Sequence, residues 1–82
     1  MLNKTKHRVI FVEWKDASNM PGWISPEDEM PPLVHIQSVG WLVKENKEAI
    51  WISTGVDYTR GGWTGLIAIP KGWIKKRRYV KV

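Results

Sequence analysis

The sequence predicts an all-β fold: a small five-stranded barrel or rolled antiparallel sheet, with a long first loop and a short 3-10 turn before the last strand. Three observations predict it. Five short stretches are rich in β-branched and aromatic residues. Clusters of glycine, proline and polar residues separate them. Gly40 lies inside the longest stretch, and a strand that bends and changes face at a glycine is what curls a small sheet on itself.

Residues 7–15, HRVIFVEWK, read as the first strand, with Ile10, Val12 and Trp14 on one face and Val9 and Phe11 on the other. Residues 16–32 hold Pro21, Pro26, Pro31 and Pro32 and show no periodicity, so they form the long loop. Within it, Ser25 can cap a short helix that Pro26 opens and Pro31 and Pro32 stop within about a turn. Glu27, Asp28 and Glu29 would favour the positive end of that helix. Residues 33–44 are the second strand, whose apolar face is expected to switch around Ser38-Val39-Gly40. A polar hairpin, residues 45–48, leads to the third strand, 49–54, with Ile50 and Ile52 on one face and Trp51 on the other. Residues 55–63 form an irregular loop with three glycines, and 64–69 the fourth strand. Pro70-Lys71-Gly72 makes a tight turn into the last strand, 74–82, in which Lys75 and Arg77 should share a face opposite Lys76 and Arg78.

At 82 residues the chain fits one domain with a modest core. It has no cysteine and two histidines, His7 and His35, which excludes a disulfide staple, a thiolate zinc site and a histidine-rich metal cage. The expected sources of stability are an aromatic core, from six Trp, two Tyr and one Phe, and self-association as a homo-oligomer. The start of the chain is polar and basic, with no apolar segment after it, so a soluble cytoplasmic protein without a membrane partner is expected. The formal net charge of +5 favours anionic partners. Much of it sits at the two ends, in Lys4, Lys6 and Arg8 and in Lys75, Lys76, Arg77, Arg78 and Lys81. Keeping a small apolar fold soluble explains those charges equally well.

Two resemblances add to this reading. The order of strand, long loop, three strands, tight turn and last strand resembles the SH3-like barrels, as does the closing segment Ile69-Pro70-Lys71-Gly72-Trp73-Ile74. Glu27-Asp28-Glu29 falls where those domains carry a long acidic loop. That resemblance implies a protein-interaction module. The segments Ser38-Val39-Gly40-Trp41-Leu42-Val43 and Ile69 to Ile74 resemble small phage-encoded proteins. This second resemblance implies an accessory or anti-defence role in host cytoplasm and no catalytic residues.

No constellation for catalysis is present: there is no Gly-x-Ser-x-Gly elbow and no phosphate loop, and no cofactor or resident metal is expected. The expectation is a binding protein rather than an enzyme. Between Gly55 and Gly65, Tyr58, Arg60 and Trp63 combine close backbone approach, a phosphate grip and stacking surfaces, which suits a nucleotide or cyclic nucleotide. Trp63 could equally fold back on the core. Trp23 in the long loop, Lys71 and Trp73 at the tight turn, and Arg77 complete the candidate set. Trp14, Trp41 and Trp51 read as core or interface. Nucleic acid held by aromatics and a basic groove is the alternative ligand.

Overall fold

The computed structural model describes residues 7–17, 22–23 and 25–81; Lys4, Lys6, Pro21 and Val82 of the sequence reading lie outside them. Strand β1, Val9–Asp16, alternates as its sequence demands: Ile10, Val12 and Trp14 are buried, and the residues between them are half-buried. The others follow as β2 (Val34–Glu45), β3 (Ala49–Ser53), β4 (Gly55–Val56), β5 (Trp63–Thr64), β6 (Ile67–Pro70) and β7 (Ile74–Val80), with a 3-10 turn at Lys71–Trp73. Five of them form one antiparallel sheet in the order β6-β3-β2-β1-β7, while β4 and β5 pair only with each other. The fold is the expected rolled antiparallel sheet. It does not close into a barrel, because β6 and β7 each keep an open edge.

The core lies on the concave face. Ile10, Val12 and Trp14 of β1, Ile50 and Ile52 of β3 and Ile69 of β6 pack together, with Ile36, Leu42 and Ile74 against them. Burying a branched aliphatic side chain contributes roughly 1.5–3 kcal/mol, so these nine side chains dominate the stability of the sheet. Trp14 can be buried whole because its indole N–H donates to the Ser38 hydroxyl, 3.1 Å away.

Four local expectations are corrected. The face of β2 does not switch at Ser38-Val39-Gly40: Ser38 and Gly40 both pair with core residues of β1, and the slip comes later, between Leu42 and Lys44. Gly40 serves a different purpose, since a Cβ there would lie 2.6 Å from the Ser53 carbonyl oxygen. Residues 25–29 make a single hydrogen-bonded turn and no helix. The Asp28 carboxylate accepts from the Ser25 N–H at 2.9 Å, half of a capping box, but one turn does not repay nucleation. The fourth strand starts at Ile67, because residues 55–64 fold into the small β4–β5 arm. Asp57 organises its tip, accepting from the Thr59 and Arg60 N–H groups at 2.9 and 3.1 Å, and Gly61 and Gly62 complete the turn with φ of 83° and 119°. Finally, a bulge between Glu13 and Trp14 places Ile74 opposite Trp14, so Lys75 does not share the face of Arg77.

Candidate nucleic-acid interface

Pairing of the first and last strands decides where charge collects. Val9 lies opposite Val80 in an antiparallel ladder, so the chain on the near side of β1 meets the chain beyond β7. Arg8 and Lys81, far apart in the sequence, therefore line one place. His7, Arg8, Val9, Tyr79, Val80 and Lys81 line a cleft of about 400 Å³ there. The Arg8 guanidinium sits 3.6 Å above the Tyr79 ring, a contact that holds an arginine in place without neutralising it. The Tyr79 hydroxyl accepts from Arg77 at 3.4 Å. The neighbouring His7 ring and Trp63 form a T-shaped pair with ring centres 5.8 Å apart.

No carboxylate is among the described residues that line this cleft, whereas Asp57, Glu13 and Asp16 each line one of three other clefts of the sheet. The outer face of β7 continues the positive charge. Arg78 stands 5.2 Å from the Phe11 ring, and Lys76 lies beside Glu13 in register. Arg8, Lys75, Lys76, Arg78 and Lys81 are all exposed. Among the described residues none of these five takes part in an ion pair.

The residues singled out in the sequence are dispersed. Lys71 and Arg77 converge on Glu45, at 2.7 Å and through a two-pronged 3.1 Å contact respectively. Glu45 ends β2 and Arg77 lies in β7, with β1 between those strands in the sheet, so this cluster clips the roll shut. Arg77 and then Lys71 hold the Glu45 carboxyl down at about 2. Those two cations are thereby committed to the fold. Arg60 leans on Asp57 at 3.4 Å, and the adjacent cleft is lined by Asp57, four glycine and threonine positions, Val56 and Trp63. Tyr58 and Trp63 are exposed beside it. Trp23 is fully exposed in the long loop. Trp73 is half open to solvent and stacks on Trp14 with centres 6.4 Å apart and planes 16° apart. Trp41 and Trp51 lie half-buried on the convex face, and Lys44 approaches Trp51 at 5.4 Å.

Sequence reasoning missed Arg8, Tyr79 and Lys81 as partners in one site. The available signal was the basic charge at both ends combined with the expected antiparallel neighbours. No group of three or more potential metal ligands occurs among the described residues. No described helix is long and apolar enough to cross a membrane. No protein-family model, no curated protein and no solved structure matches the chain. The SH3-like and phage-type resemblances therefore rest on the quoted residues and the order of elements.

Proposed function

We propose that this protein is a non-catalytic nucleic-acid-binding protein whose contact surface is the β1–β7 side of the sheet. The observation that carries the reading is the cleft that Arg8, stacked over Tyr79, lines together with Lys81, with no carboxylate among the described residues of its lining. Cations supply most of the affinity for a phosphate backbone, and an aromatic ring beside them supplies a surface for a base. The exposed cations Lys75, Lys76 and Arg78 extend beyond the cleft along β7, which favours a polymer over a small ligand that a pocket would bury almost whole. A nucleotide held by residues 55–65 has weaker support, because Asp57 lines that cleft and engages Arg60. A phage-type accessory or anti-defence role can be filled by binding without catalysis, and nucleic-acid binding would supply it. The test is fluorescence anisotropy with a labelled oligonucleotide. The double variant Arg8→Ala/Lys81→Ala should weaken binding at least tenfold, about 1.4 kcal/mol, while Arg60→Ala leaves it within twofold. Equal loss from Arg60→Ala, or no loss from the double variant, would move the site to the β4–β5 arm or abolish the reading.

A further inference from the structure

Strand β7 is the last strand of the sheet, and among the described residues no strand pairs with its outer edge. At its far end lies the Arg8–Tyr79–Lys81 cleft, and at its start lies Trp73. Between them stand Lys76 and Arg78 on the convex face, together with Lys75, which the bulge sets out of the regular alternation. The strand is seven residues long, or about 20 Å from end to end.

Trp73 is built as a platform. One side stacks on Trp14, itself 5% exposed and fixed by its hydrogen bond to Ser38. Trp73 also walls a cleft of about 420 Å³ with Leu33, Ile74, Lys15 and Lys75. The residue as a whole is 43% exposed. Asp16 is the carboxylate of this cleft, and one of its oxygens accepts from the Ala17 N–H at 2.7 Å. A rigid, half-open indole flanked by two lysines suits an unpaired base with its phosphates.

Resting on the nucleic-acid reading above, we propose that the ligand is a single strand that runs along the β7 edge, from the Arg8–Tyr79 cleft to Trp73, with a base stacked on Trp73. The two aromatic stations lie too far apart for one nucleotide. A duplex keeps its bases paired and cannot offer one to an indole. About 20 Å of track fits roughly four nucleotides, the low end of the site sizes of small strand-binding domains.

The experiment uses labelled oligothymidylates of two, four and eight nucleotides, an eight-nucleotide abasic strand and an eight-base-pair duplex, read by anisotropy and by quenching of tryptophan emission. Affinity should rise steeply from two to four nucleotides and little beyond. Trp73→Ala should weaken the eight-nucleotide strand by about five- to a hundredfold, leave the abasic strand unaffected and remove most of the quenching. Trp73→Phe retains an aromatic face, so it should restore much of the affinity and guards against a folding defect in the alanine variant. Unchanged affinity in both Trp73 variants, with loss in Arg8→Ala/Lys81→Ala, would overturn the path and leave the nucleic-acid reading standing. A duplex bound more tightly than the single strand would also overturn it. Absence of binding to every probe would overturn both.

Discussion

Glu45 shows how a single side chain assigns roles to its neighbours. Lys71 and Arg77 carry the charge a phosphate needs, yet both close on Glu45 across the roll. Their hydrogen bonds, that of Arg77 being the larger cause, depress the Glu45 carboxyl to about 2. A folded-state value below the unfolded one means the cluster stabilises fully above about pH 4.5 and that its contribution is lost as pH falls toward 2. A third of the Glu45 side chain remains exposed, so solvent screening holds the effect to about 0.5–1 kcal/mol. Urea unfolding at pH 7 and pH 3 should therefore show a smaller acid-induced drop in Glu45→Gln than in the native chain. An identical drop would remove Glu45 from the account. Gly40 is the second decisive residue. A methyl group there meets the Ser53 backbone oxygen at 2.6 Å, and backbone in a paired strand cannot swing aside. Gly40→Ala should cost about 1–3 kcal/mol, read as a lowered urea midpoint with an unchanged slope.

At the scale of elements, what could be read from the sequence was whatever a local pattern encodes. Ile10, Val12 and Trp14, and likewise Ile50 and Ile52, alternate with partners that do not enter the core, and each set is buried as its spacing requires. The tight turn was legible in Pro70-Lys71-Gly72, which becomes the 3-10 turn closed by the Ile74 N–H donating to the Lys71 carbonyl. Features set by register were not legible. The bulges at Glu13/Trp14 and Leu42/Lys44 depend on which residue of a distant strand lies opposite, and nothing in β1, β2 or β7 alone states it. The β4–β5 arm escaped for another reason: two-residue strands carry no alternation, and its shape comes from Asp57 and the buried Ser53 hydroxyl, which accepts from the Gly55 N–H at 3.1 Å. The interface was the least legible part. Arg8 and Lys81 lie at opposite ends of the sequence, and only the β1–β7 ladder makes them neighbours.

For the molecule as a whole, the roll separates two jobs. The concave face is apolar and holds the sheet together, and the clip at Glu45 consumes Lys71 and Arg77. Among the described residues the cations on the β1–β7 side have no such partner, and they share that side with Tyr79, Phe11 and Trp73. The central claim is that this side holds a phosphate backbone. Its most direct test is the salt dependence of oligonucleotide affinity. With four to five phosphate contacts at about 0.7 each for a single strand, log K should fall against log salt with a slope of about −3, and Arg8→Ala/Lys81→Ala should make that slope shallower by about 1–1.5. A slope near zero in the native chain, or one that the double variant leaves unchanged, would contradict the account.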